Sequence, residues 1–200
     1  MKKLLLSLVA VFAFAFATQA QTEKGNVLLG GNVGFKTWKA TDAAKHDVNF
    51  TIAPKAGYFV GDNVAIGADL GYKSDKSVSL NYLDQSIEVS PFGRYYVGLN
   101  DRFKFFGQLA VPMAFGKEKF VDDNGKTGHK LGTYTDINVN LAPGLAYYPS
   151  KKIGIELSVD GIGYNHSTWK DSSDGSKVKS QSFGINANTL QPKLGVMFHF

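Results

Sequence analysis

The side chains able to do chemistry are few and scattered. The chain has no cysteine and four histidines, His46, His129, His166 and His199. Without thiols neither a disulfide nor a thiolate-held metal is available, and the histidines share no metal-ligand spacing. His166-Ser167 sets a base beside a hydroxyl, a first step toward a lipid-hydrolysing site. A working nucleophile needs base and orienting group within hydrogen-bond reach, and adjacency alone provides neither. Gly125-Lys126-Thr127 has the ending of a phosphate loop, but the required earlier glycine falls on Phe120. Asp122-Asp123-Asn124-Gly125 and Asp171-Ser172-Ser173-Asp174-Gly175 lack the spaced ligands and distal Glu of a calcium loop; both read as turns. The expectation is no enzyme, no cofactor and no metal.

The ionisable residues that do follow a rule are charges set within alternating runs. Lys55, Asp69, Glu88, Arg94, Lys104, Asp136, Glu156, Asp160 and Lys193 each fall on the face opposite an apolar one. Alternation with period two is the mark of a strand with two different faces. Eight such runs occur, near residues 27–36, 48–60, 64–73, 87–97, 103–115, 135–147, 153–160 and 190–200. In the seventh, Ile153, Ile155, Leu157 and Val159 share the apolar face. Phe183, Ile185 and Ala187 sit one register off the last run, and a bulge near Asn188 would reconcile them. The apolar face carries no Lys, Arg, Asp or Glu. A charge facing lipid near the midplane costs roughly 2–4 kcal/mol, so this partition points to lipid on one side and a narrow lumen on the other. A soluble lipocalin-like barrel also alternates, but its water-facing side would carry more charge than this Gly-, Ala-, Ser- and Asn-rich face.

The connections reinforce the reading. Gly61-Asp62-Asn63, residues 98–102 and residues 149–152 are short, which forces antiparallel neighbours. Residues 37–47, 74–86, 117–134 and 165–182 read as long polar loops. The fold class expected is all-β, an eight-stranded antiparallel up-and-down transmembrane β-barrel. Eight strands leave an interior that side chains just fill. Lys55, Asp69, Glu88, Arg94, Glu156, Asp160 and Lys193 would form a charge network inside it. Stepping back from the Gly61-Asp62-Asn63 turn, with Val60 opposite Val64, sets Lys55 opposite Asp69. Arg94 and Glu156 lie at similar heights above the short turns.

Targeting fits this architecture. Met1-Lys2-Lys3 precedes an apolar run from Leu4 to Ala17, then Thr18-Gln19-Ala20. The apolar run is too short to span a bilayer as a helix, and the order of parts is that of a secretory signal peptide. Residues 1–20 are the signal and residues 21–200 the barrel domain. The formal net charge is +5, but no basic cluster suggests nucleic acid.

The chain ends Leu194-Gly195-Val196-Met197-Phe198-His199-Phe200, a strand of alternating apolar residues closing on Phe. With the signal and the eight runs, this resembles the small bacterial outer-membrane β-barrel family, the OmpX and OmpA transmembrane-domain type with a porin-like barrel domain. The resemblance implies location in the outer membrane and contact with its lipid and lipopolysaccharide. It also implies handling by the barrel-assembly machinery through an assembly signal at Phe198 and Phe200. The OmpA-type peptidoglycan-binding domain is not expected, because the chain stops at the last strand. The implied role is structural or surface display through extracellular loops that meet a surface ligand, in envelope integrity or adhesion. The alternatives are a narrow porin-like channel and, more remotely, a lipid A-modifying enzyme. Intact mass of the exported protein should give a start within a residue or two of Gln21; retention of Met1 on membrane-inserted protein would refute the signal assignment.

Overall fold

The computed structural model describes residues 22–39, 45–185 and 193–200. The expected signal peptide, residues 1–20, and the expected bulge near Asn188 lie outside them. Strands β1 (Val27–Trp38), β2 (Asp47–Gly61), β3 (Val64–Ser77) and β4 (Tyr82–Gly98) form four successive staves. β5 (Phe103–Ala110) and β6 (Met113–Val121) make the fifth, and β7 (Thr127–Ser150) the sixth. β8 (Ile153–Ser158) and β9 (Ile162–Asp171) make the seventh, and β10 (Lys177–Ile185) and β11 (Lys193–His199) the eighth. Each stave pairs antiparallel with the next, and β11 returns to β1 through Leu28↔His199 to Gly31↔Val196. The result is a closed eight-stranded barrel. The closing seam is short: among the described residues β10 pairs with β9 alone, and β1 above Gly31 with β2 alone.

Two staves are interrupted for identifiable reasons. In the fifth, Pro112 has no N–H to give the ladder. The wall stays bonded there, since Val111 N donates to Pro91 O at 2.9 Å and Asn138 N to Pro112 O at 2.8 Å. In the seventh, the break at Val159-Asp160-Gly161 inserts one extra residue. Outward positions change from odd, Leu157, to even, Ile162 and Tyr164, as a one-residue slip requires. Val159, expected on the lipid face, lines the interior cavity instead. The first short turn differs in detail too. Gly61 pairs with Val64 after a register shift between Phe59 and Gly61, leaving Asp62-Asn63 as the turn. Asn63 takes φ 63° there, a left-handed conformation that Asn tolerates.

Three of the four stretches expected as long loops are mostly strand. β3 and β4 run on to a turn of residues 78–81, β6 and β7 to residues 122–126, and β9 and β10 to residues 172–176. A transmembrane strand needs about 9–11 residues, yet β4 has 17 and β7 has 24. Beyond the lipid the outward face no longer needs apolar side chains, so the alternation fades while backbone pairing continues.

A carboxylate ties β2 to the first of these hairpins. Asp47, at the top of β2, is buried and accepts from Val78 N at 2.6 Å, Ser77 Oγ at 3.0 Å and Ser79 Oγ at 2.5 Å. The β3–β4 turn meets the β6–β7 turn in the same way: Asn81 Nδ2 donates to Val121 O at 2.8 Å, and Val121 N to Asn81 O at 3.0 Å. Burial pushes the Asp47 carboxyl up, but the bonds from Ser79, Val78 and Ser77 outweigh it and hold the group below its ordinary value. A depressed carboxylate contributes stability that is complete above its unfolded value and fades as pH falls through its folded one. Amide-exchange protection at Val78 and Ser79 should therefore be intact at neutral pH and fall well below pH 4. Asp47→Ala should remove it at neutral pH, with a local loss of about 1–2 kcal/mol; unchanged protection in that variant would contradict the tie.

Candidate functional site

Inside the barrel, the inward positions next to the short turns carry a cluster of buried rings. Phe59, Tyr96, Phe106 and Tyr148 are fully or almost fully buried, with Leu28, Met197 and His199 beside them. Ring centroids lie 5.7 Å apart for Phe59–Tyr96, 5.6 Å for Tyr96–Phe106 and 5.2 Å for Tyr148–His199, within the range of favourable aromatic pairs. Inward glycines make the room: a Cβ on Gly67 would fall 2.6 Å from Phe92 Cζ, and one on Gly144 would collide with the Phe106 ring. The N-terminal segment covers this floor from below. Thr22 Oγ1 donates to Asn63 Oδ1 at 2.7 Å, and Lys104 Nζ donates to both Thr22 Oγ1 and Asn63 Oδ1.

On the floor sits a charge pair that spans the lumen. Arg94 on β4 donates through Nη1 to Glu156 on β8, 2.7 Å from Oε1 and 2.8 Å from Oε2. The two side chains are only 3% and 5% exposed. Tyr96 Oη is within 2.9 Å of Arg94 Nη1 and 3.3 Å of Glu156 Oε1. Gln108 Oε1 accepts from Arg94 Nε at 3.1 Å and Nη2 at 2.7 Å. The guanidinium carbon lies 4.3 Å from the Phe106 ring centroid, a cation–π contact. A buried charge is tolerable only when paired and fully hydrogen-bonded, and this guanidinium is surrounded on those terms.

A second pair stands higher. The register sets Lys55 opposite Asp69, with Nζ 3.4 Å from Oδ2. Lys55 Nζ also donates to Gln108 Oε1 at 3.3 Å, so Gln108 joins the two pairs. Above the floor is a cavity of about 270 Å³ lined by Lys55, Asp69, Glu88, Asn140 and Asp160 among others. Asp136 lies on another row, opposite Ala114 and Ser167. Lys193 pairs through its backbone with Ser158; its side chain lies outside the described residues. At the seam, Phe200 N donates to Val27 O at 2.9 Å and Val27 N to Phe200 O at 2.7 Å, while Phe198 pairs with Leu29 and faces outward.

Reasoning from sequence missed the roles of Gln108 and Tyr96, and the aromatic floor as a unit. A signal was present, because Phe59, Tyr96 and Tyr148 each fall two residues before the end of a strand entering a short turn. The weaker motifs resolve as structure. His166 shares the outward face of β9 with Tyr164, and Ser167 next to it faces inward, so strand geometry separates them. Gly125, with φ 77°, closes a turn in which Asp122 Oδ1 accepts from Lys126 N at 2.7 Å. Bonds from Ser173 hold the Asp171 carboxyl below its ordinary value. Among the described residues no group of three His, Cys, Asp or Glu is placed to hold a metal.

The model of the outer membrane protein beta-barrel domain family matches residues 6–197. The chain belongs to this family. It is an outer-membrane barrel, and it sits in the lipid and lipopolysaccharide environment of that membrane. Among solved structures it is similar to Neisserial surface protein A, with 13% identity over 88% of this chain and 98% of that one and a TM-score of 0.46. OprG from Pseudomonas aeruginosa gives 13% identity over 91% and 99%, with a TM-score of 0.46. Ail, the attachment invasion locus protein of Yersinia pestis, gives 13% over 88% and 99%, with a TM-score of 0.41. No curated protein matches the chain.

In this barrel Lys55→Ala and Asp69→Ala should each destabilise by about 1–3 kcal/mol through the partner left behind, measured by urea unfolding in lipid vesicles. The double variant should lose less than the sum. Strict additivity would mean that the two charges are hydrated separately.

Proposed function

We propose that this chain is a non-conducting, non-enzymatic display protein: a rigid barrel, exported with residues 1–20 removed, that presents its extended hairpins outside the cell. Envelope integrity or adhesion is the role in which such hairpins act. The reading rests above all on the filled floor, where Arg94, Glu156, Tyr96 and Phe106 occupy the lumen cross-section. The fused hairpin tops around Asp47, Asn81 and Val121 suit presentation of a fixed surface. Phe198 and Phe200, zipped along Leu29 and Val27, are the segment the assembly machinery would read.

A narrow channel is the rival, supported by the polar cavity above the floor. It would need a water path past the Arg94 guanidinium, which is hydrogen-bonded on both sides. Planar-bilayer recording of the refolded protein should give no stable porin-sized steps. Arg94→Ala, which empties the middle of the floor, should introduce small conductance. Steady porin-sized currents from the unaltered barrel would move the channel reading to first place.

A further inference from the structure

We propose that the upper lumen along staves six to eight is a binding site for a neutral saccharide, with Tyr134 and Trp169 as its stacking platform. Tyr134 on β7 and Trp169 on β9 are cross-strand partners, so they share a face. That face is inward, since both have the parity opposite to outward Ile137 and Tyr164 on the same strands. The rings lie nearly parallel, with 14° between their planes and centroids 6.4 Å apart. Glycines hold them flat. Tyr134 lies over Gly116 of β6, its Cζ 2.1 Å from where a Cβ would stand, and Trp169 lies over Gly132 of β7, its Cζ2 equally close. One face of each ring is thus pressed to the wall, and the other looks into the lumen. Tyr134 Oη donates to Asp84 Oδ1 at 2.8 Å, which fixes the first ring in place. Both rings are half-buried.

Below the platform the same staves carry amides. Asn138 and Asn140 on β7, Asn165 on β9 and Ser182 on β10 line a cavity of about 580 Å³. Asn138 stands four residues below Tyr134, and Asn165 four below Trp169, on the same inward face. The cavity shares Glu88, Asn140 and Asp160 with the smaller one over the floor. The two form one cup whose bottom is the Arg94–Glu156 pair. Asn165 Nδ2 donates to Asn138 Oδ1, a single bond that leaves each amide further donors and lone pairs. Between the two levels Asp136 sits opposite the small residues Ala114 and Ser167, and its Oδ1 is buried without a hydrogen-bond partner among the described residues.

Chemistry selects the ligand. A sugar ring has an apolar face of C–H groups and an edge of hydroxyls. The C–H face gains by leaving water for an aromatic face. Two parallel faces set side by side suit two successive sugar rings, whereas a lone cation calls for rings that converge around it. Hydroxyls both donate and accept, and so do side-chain amides; an ion would need an opposite charge that amides lack. Glu118 and Asp171, the two cross-strand partners of Gly132, flank the indole and repel an anionic glycan. Apolar faces with a few convergent polar groups are the general form of a small-ligand site. Tyr134 stands three residues beyond Ile137 and Trp169 five beyond Tyr164. At about 3.3 Å per residue both rings lie past the apolar band, at the end where outer-membrane barrels open to the outside.

The test uses the refolded full-length barrel in detergent micelles. The chain has two tryptophans, Trp38 and Trp169, so W38F leaves the platform indole as the sole fluorescent reporter. Cellotetraose, maltotetraose and tetra-N-acetylchitotetraose are titrated in, with a heparin tetrasaccharide and spermine as anionic and cationic comparisons. At least one of the three neutral saccharides should shift the Trp169 emission saturably, and added salt should leave that binding unchanged. By calorimetry with that saccharide, Y134A and W169A should each weaken binding roughly tenfold, while W169F keeps most of it. Heat-modifiable electrophoretic mobility checks that each variant is folded. Independently of any variant, saturation-transfer NMR with the unaltered barrel should mark the C–H protons of one sugar face. No response to any of the three neutral saccharides, binding that survives both Ala variants, saturation transfer spread evenly over the sugar, or tighter binding of spermine or the heparin fragment would each overturn the proposal. The site lies inside the mouth, apart from the hairpin tips, so a conducting barrel that bound saccharide would leave it standing.

Discussion

Hydrocarbon offers the backbone no hydrogen-bond partners, and an unpaired N–H or C=O in it costs several kcal/mol. A chain with the alternation seen here can cross only if its last strand returns to its first. Among the described residues that return is made by four residue pairs, Leu28–Gly31 against Val196–His199, and extended by the reciprocal bonds between Val27 and Phe200. Closure with eight staves then sets the size of the interior. Such a lumen is just wide enough for side chains to fill, and this chain fills its lower half. Ring stacking, inward glycines and the Arg94–Glu156 pair are consequences of that single geometric demand.

Charge is sorted by face and by height. Inside, Lys55, Asp69, Arg94 and Glu156 are matched across staves, and Gln108 bridges the two pairs. At the apolar midsection the outward face carries none among the described residues. Above it, staves five to eight turn lysines outward and carboxylates inward. One backbone pattern thus meets three environments: a confined lumen that requires neutralisation, a hydrocarbon belt that excludes charge, and water above the membrane that admits it on both faces. The upper hairpins differ again. There Asp47, Asn81 and Val121 make side-chain and backbone bonds that fuse adjacent turns.

The parts legible in the sequence are those governed by parity. Period-two alternation marks the staves, most of their lipid-facing positions and the inward position of Lys55, Asp69, Arg94 and Glu156, because a strand has only two sides. Counting from a tight turn sets Lys55 opposite Asp69, even though a register shift at Phe59/Gly61 alters the last rung. What escaped are features parity does not encode. Val159 changes sides because one extra residue enters near Gly161. The extension of β3, β4, β6, β7, β9 and β10 beyond the membrane was hidden because polar strands in water read as loops. Gln108 and Tyr96 looked like ordinary inward residues; their roles follow from where Arg94 reaches across the lumen, and that depends on barrel diameter and tilt.

The central claim is that Arg94 and Glu156 form a tie which the lumen tolerates only when both are present. Its most direct test is unfolding free energy in lipid vesicles for Arg94→Met, Glu156→Met and the double variant. Each single change strands a desolvated charge, and should lose about 3–5 kcal/mol. The double variant, with two apolar side chains in the same space, should recover most of that loss. Two mild single effects that simply add would contradict the account, since they would mean water reaches both groups and the lumen floor is open.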